Sequence, residues 1–226
     1  MIQNLFNEKK AAQAAAYFLF RAGEPVSVLK LMKLLYLAER RSFERYGTPM
    51  IGDRLVSMPH GPVLSITYNH MSGELESVAG GWDSWVADRA EHNLDLRDRA
   101  ALKSPEDDLL ELSDADLAVL SEVWQQFGQM SASVLRNWTH KNCPEWKDPE
   151  GSMIPMTPQD LFAALNFTPE QTREALARLR AESTVTAAWR DRQSAGTEDL
   201  RTTGCSPHSV GHVFAGRRGD AAGRGG

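Results

Sequence analysis

The chain has 226 residues and a mass of 25.1 kDa, with 42% hydrophobic residues, six Trp and eight Phe, enough apolar side chain for one packed domain of ordinary size with some chain to spare. No apolar run approaches the ~20 residues needed to span a bilayer, the start Met1-Ile2-Gln3-Asn4 lacks the basic and apolar regions of a signal peptide, and two distant cysteines, Cys143 and Cys205, argue against a disulfide framework. A reducing cytoplasm is the expected location, and the net charge of −5 argues against a strongly basic nucleic-acid binder.

A first helix is expected over about Asn7–Arg21, with Ala11, Ala12, Ala14, Ala15, Ala16, Phe18 and Leu19 filling one side and Gly23-Glu24-Pro25 beyond its end. Ser27 can cap a second helix whose apolar positions recur at Val28, Leu31, Met32, Leu35 and Ala38. Leu34 and Leu37 widen that stripe, so this helix is expected at the centre of the domain, and Tyr46-Gly47-Thr48-Pro49 ends it. Arg54–Met58 alternates as a half-buried strand does. Met58-Pro59-His60-Gly61-Pro62 reads as a rigid corner, with Pro62 as the first residue of a helix reaching about Met71.

Trp82–Leu112 carries short alternating apolar groups, including Trp85-Val86-Ala87, Leu94-Asp95-Leu96 and Leu109–Leu112. They predict a small antiparallel sheet, which the Arg54–Met58 strand is placed to join. Ser113 with Asp116 resembles a capping box at the head of a helix through Leu117, Leu120, Val123, Trp124 and Phe127. A further helix begins near Ser131, and Thr157-Pro158 and Thr168-Pro169 are two more helix starts. From about Val185 glycine and arginine dominate and apolar residues thin out, so a disordered tail is expected over 185–226 after a single domain over 1–184. The expected fold class is α+β, mostly helical: a central apolar helix surrounded by helices, with a small antiparallel sheet.

Charge is unevenly placed. Residues 1–60 hold nine Lys/Arg against five acids, 61–130 four against fourteen, and 131–226 twelve against eleven. The acidic middle either is a solvated face or presents a negative surface that steers a basic partner. The polar edge of the second helix, Lys30, Lys33, Arg40 and Arg41, is the surface a DNA-binding reading would use.

No residue set suggests catalysis. His60 has no nucleophile and orienting group beside it, and reads as a histidine bonding its own turn. His140-Lys-Asn-Cys143 is half a metal motif without its second half. Asp107-Asp108 reads as a solvated turn, and Gly80-Gly81 lacks the spacing of a phosphate loop. No catalytic residue, cofactor or metal is expected. Trp82 and Trp85, beside Gly80-Gly81, are candidate exposed anchors for a partner.

Two stretches carry a family resemblance. KLMKLLYLAERRSFERYG followed by GDRLVSMPHGPVLS, and downstream Ser133-Val-Leu-Arg-Asn-Trp-Thr139-His140 with Cys143-Pro144-Glu145-Trp146, resemble the Panacea, or SocA-like antitoxin, domain over roughly residues 5–165. The resemblance implies an antitoxin that binds a toxin encoded beside it, in some relatives delivering it to an ATP-dependent protease. The alternative is a DNA-binding autoregulator of the same operon. It marks Lys33, Tyr36, Gly52, Asp53, Met58, Pro59, His60, Gly61, Pro62, Thr139, His140 and Trp146 as signature positions, structural or in contact with the partner.

Overall fold

The protein is represented by a computed structural model that describes residues 5–202. Helix α1 spans Glu8–Ala22: the Asn7 side chain caps it by accepting the Lys10 N–H at 3.1 Å, and Gly23 closes it in the left-handed region. After the two-residue strand β1 (Val26–Ser27), helix α2 runs Val28–Tyr46, capped by Ser27 Oγ and closed by Gly47. Ala11, Ala12, Ala14, Ala15 and Ala16 of α1 are buried, and their small size lets the backbones of α1 and α2 lie close. Leu31, Leu34, Leu35 and Tyr36 are wholly buried, which places α2 at the centre, in contact with α1 and with helices described below. Each such side chain contributes about 1.5–3 kcal/mol of transfer free energy.

Strands β2 (Leu55–Met58) and β3 (Gly61–Leu64) form a hairpin with Pro59-His60 at its tip, and β6 (Ile154–Pro155) pairs with the free side of β2. The corner therefore differs from the sequence expectation: Pro62 lies in a strand, opposite Ser57, and the helix α3 begins later, over Ser65–Met71. Its first N–H groups are satisfied at long range. Asp53 accepts the Ile66 N–H at 2.9 Å and the Thr67 N–H at 2.7 Å. Strand β2 is also more buried than its alternation suggests: Leu55, Val56 and Ser57 are all inside, because β3 and β6 flank it and β3 packs on α2 and on α7 (Ala132–Asn142).

The second sheet has the order β1-β5-β4, with β4 at Val86–Arg89 and β5 at Asn93–Leu96. Strand β2 does not join it, Trp82–Trp85 is a helical turn (α4), and Leu109–Leu112 follows the turn α5 (Pro105–Asp108) without forming a strand. Val26 supplies the missing third strand by pairing with Leu94. Helix α6 (Asp114–Phe127) has the Ser113/Asp116 capping box, α7 is capped by Ser131, and α8 (Pro158–Ala164) has a Thr157/Asp160 box. Helix α6 lies against α1 and α2, and α8 against α2.

Helix α9 spans Pro169–Thr202 and buries Ala175, Leu176 and Leu179. The helix runs past Val185, the residue from which the sequence predicts a tail. Residues 203–226 of the expected tail lie outside the described residues. The described residues divide after Ala187 into two units. The fold is a mostly helical α+β domain with two small three-stranded antiparallel sheets among the described residues.

Candidate functional site

The signature residues meet where the β2–β3 hairpin docks on α2 and α7. Positions 33, 36 and 40 of α2 follow helical spacing and form one stripe. At its head the wholly buried Lys33 donates through Nζ to the Pro62 carbonyl at 2.6 Å. Gly61, at φ +96°, lets the hairpin come this close. A Cβ there would stand 3.0 Å from Lys33 Nζ and 3.1 Å from His140 Nε2. His140, in the last turn of α7, stacks on Trp146 with ring centroids 4.0 Å apart and planes 6° from parallel. The Trp146 indole N–H donates to the Met58 carbonyl at 3.0 Å, and the Lys147 N–H to Ser57 Oγ at 3.2 Å. Both strands of the hairpin are thereby tied to the body.

Beneath this layer lies Glu145, 3% exposed. Its Oε1 accepts the Tyr36 hydroxyl at 2.5 Å and Arg40 Nε at 2.7 Å. Cys143 is buried beside it, and burial together with the Glu145 carboxylate pushes the thiol up to about 12, so it is held protonated. Burial raises the Tyr36 hydroxyl in the same direction, with Glu145 adding to it. Burial lowers His140, helped by the charge of Lys33, and lowers Lys33 itself to about 7 from its ordinary 10.5.

The Lys33 shift fixes a pH dependence. Between about 7 and 10.5 the unfolded chain holds the Lys33 proton and the folded chain has released it, so this group's contribution to stability rises with pH over that window and is lost as pH falls through 7. Lys33→Met removes the dependence. Urea unfolding of both proteins at pH 7 and pH 9.5 should show wild type gaining on the variant with a limiting slope of about 1.4 kcal/mol per pH unit. Parallel stabilities at the two pH values would refute this assignment.

Of the residues singled out in the sequence, Lys33, Tyr36, Met58, Gly61, Pro62, Thr139, His140 and Trp146 come together here. Thr139 is buried, with Oγ1 donating to the Arg136 carbonyl at 2.8 Å. Pro59 and His60 form the exposed tip. His60 is exposed and makes no side-chain hydrogen bond among the described residues, which differs from the expectation that it bonds its own turn. Gly52 and Asp53 lie apart from this cluster of hairpin, α2 and α7 residues, the latch. The Gly52 N–H donates to Glu39 Oε1 at 2.8 Å, and a Cβ on Gly52 would fall 2.5 Å from the Leu5 carbonyl oxygen. Asp53 receives the start of α3, and its Oδ2 accepts the Thr67 hydroxyl at 2.6 Å.

Two expectations are corrected. Trp82 is 3% exposed, its ring 6.3 Å from that of His70, and Trp85 is half-buried against the core, so the pair is not an exposed anchor. The basic edge of α2 is not an open cationic strip either. Lys33 is buried and Arg40 is bound to Glu145. Arg41 pairs with Glu44 at 3.1 Å, and Lys30 lies over the Trp124 ring. A phosphate backbone would meet few free charges there.

Glu39 has no place in the sequence reading, and Cys143 and Glu145 enter it only within motifs, with no buried role assigned to either. Glu39 takes three loop N–H groups while wholly buried, and burial raises its carboxyl to about 7 against the pull of those donors. Its signal was available: on a helix, position 39 shares a face with Leu35 and Phe43. Among the described residues no three His, Cys, Asp or Glu side chains are grouped to hold a metal ion.

These features define a helical domain whose polar signature residues are spent on seating a hairpin and displaying its tip. The model of the SocA-like antitoxin family, Panacea domain, matches residues 31–147, more than half of the chain and the whole latch from Lys33 to Trp146. The protein belongs to this family. No curated protein and no solved structure showed significant similarity to the chain. Among the described residues no helix is long and apolar enough to cross a membrane.

Proposed function

We propose that this protein is the antitoxin of a toxin–antitoxin pair, acting in the cytoplasm and neutralising a toxin encoded beside it by direct protein–protein binding. The observation that carries the reading is the match of the antitoxin family model over residues 31–147. The site supports it in physical terms. Lys33 bonds the hairpin, and Tyr36 and Arg40 both bond Glu145 Oε1, so these side chains are engaged in holding the structure together and the polar cluster acts as a scaffold. What it offers outward is the Pro59-His60 tip with half-buried Met58, His140 and Trp146 around it. A rigid, pre-formed surface binds without first ordering itself, which lowers the entropic cost of association. Delivery of the bound toxin to an ATP-dependent protease is a variant of the same reading, in which this protein serves as the adaptor.

The reading is tested by inducing the neighbouring reading frame in a host with and without this protein. Growth arrest without it and recovery with it are expected. Arrest that persists at equal expression of both proteins would overturn the antitoxin reading.

A further inference from the structure

The latch seats the hairpin on two basic side chains, neither of which forms an ion pair among the described residues. Lys33, on α2, is wholly buried, and its Nζ donates to the Pro62 carbonyl at 2.6 Å. His140, on α7, has a buried Nε2 without a hydrogen-bond partner among the described residues. The two nitrogens bracket Gly61: the point that a Gly61 Cβ would occupy lies 3.0 Å from Lys33 Nζ and 3.1 Å from His140 Nε2. A proton on each would put two charges beside one buried glycine, shut away from the water that could solvate them.

The surroundings offer little to offset those charges. Burial is the largest cause that holds the His140 imidazole below its ordinary 6.5, and Lys33 from α2, Arg136 from α7 and His60 from the hairpin tip act in the same direction. The acid facing it, Asp148, is exposed, and both Lys33 and Arg136 outweigh it. Lys33 faces Cys143, whose thiol is held protonated, and the Glu145 carboxylate beneath is taken by Tyr36 and Arg40. Few bonds tie the tip end of the hairpin to the body: Lys33 to Pro62, the Trp146 indole N–H to the Met58 carbonyl, the Lys147 N–H to Ser57 Oγ, and the Leu64 N–H to Met32 Sδ at 3.3 Å. The pairing of Met58 with Gly61 lies within the hairpin and survives a movement of the tip.

We propose that this seat is a pH-sensitive switch: acidification charges both Lys33 and His140, which bracket Gly61, and the tip end of the hairpin lifts to return them to water. The sign follows from proton uptake. Lys33 holds its proton only below about 7 when seated and below 10.5 when solvated, so opening takes up a proton between those values. His140, lowered when seated, takes one up on opening as pH falls below 6.5. Opening therefore grows easier with acid in two stages, through Lys33 above 7 and through His140 below 6.5. The inference concerns the hairpin alone and does not depend on the antitoxin reading.

The test is hydrogen exchange followed by NMR on the full chain, from about pH 8.5 to about pH 5.5, read at the Trp146 indole N–H and corrected for the intrinsic exchange rate. Protection should fall in two steps, each by at least about threefold and by at most about tenfold per pH unit, the limit for one coupled proton. His140→Phe keeps a ring against Trp146 and should lose the lower step alone, while Lys33→Met should lose the upper step alone. Thermal unfolding shows whether each variant is folded, and His140→Gln takes the place of His140→Phe if the larger ring disrupts the seat. In the wild type, the His140 ring signals should titrate below 6.5. Flat protection in the wild type, a step that persists in the variant meant to remove it, or a His140 ring that titrates at or above 6.5 would overturn the inference.

Discussion

Glu39→Ala is expected to cost more than about 4 kcal/mol of folding stability, the upper end of what single substitutions do. Glu39 is wholly buried on α2, and its Oε2 accepts the Met50 and Ile51 N–H groups at 2.9 and 2.7 Å while Oε1 accepts that of Gly52. Alanine leaves three donors without partners in a loop whose residues Met50 and Ile51 are themselves buried, at about 1–3 kcal/mol for each unsatisfied group before relaxation. Gly52 cannot easily retreat, because its positive φ and the Leu5 backbone fix its position. Since a domain of this kind has about 5–15 kcal/mol in total, the variant should be largely unfolded or recovered only at low temperature. Glu39→Gln refines the test. Its carbonyl oxygen can keep Met50 and Ile51, but its amide N–H₂ then opposes the Gly52 N–H, so the loss should be intermediate. Equal stability of Glu39→Ala and wild type in urea unfolding would show that the loop does not depend on this carboxylate.

The second large effect is expected at Glu145. Glu145→Ala strips the acceptor from Tyr36 and from Arg40, whose side chain is 15% exposed, and leaves a nearly buried guanidinium without its counter-charge. Breaking a buried pair from one side typically costs about 3–5 kcal/mol. Tyr36→Phe removes only one hydrogen bond to a charged group and should cost about 1.5–3 kcal/mol. Replacing both members, Arg40→Met with Glu145→Leu, should recover much of the loss, because the desolvation penalty disappears with the charges. Additive losses in the double variant would argue that the pair contributes through packing and not through charge. The residue after Glu145 is Trp146, which bonds Met58 and stacks on His140, so loosening this turn should also free the hairpin tip. Loss of toxin binding is expected to accompany the loss of stability.

Much of this architecture is written locally. Asn7, Ser27, Ser113, Ser131 and Thr157 are capping residues whose role depends on the next three positions, and the helices they start lie where the spacing puts them. What local spacing misses is set by partners distant in sequence. Pro62 has the chemistry of a first helical residue, yet Lys33, 29 positions earlier, takes its carbonyl and holds it in a strand. Helix α3 starts without a side-chain cap of its own because Asp53 supplies the acceptors from outside. Strand β1 is two residues long, too short for any periodicity, and exists because Leu94 lies opposite Val26. The site divides the same way. The signature positions were legible as a set, but their convergence required a fold that places residues 33, 61, 140 and 146 together. Glu145 could not be read as buried from its neighbours Pro144 and Trp146.

The same division bears on function. The latch residues hold one another and the hairpin, so substitutions there should act through stability.

The most direct measurement is co-expression of this protein, carrying an affinity tag, with the product of the neighbouring reading frame, followed by purification and size-exclusion chromatography. Direct neutralisation predicts one complex that co-elutes in fixed stoichiometry and withstands dilution to micromolar concentration. Two proteins that elute separately, from cells whose growth this protein has nonetheless restored, would contradict it.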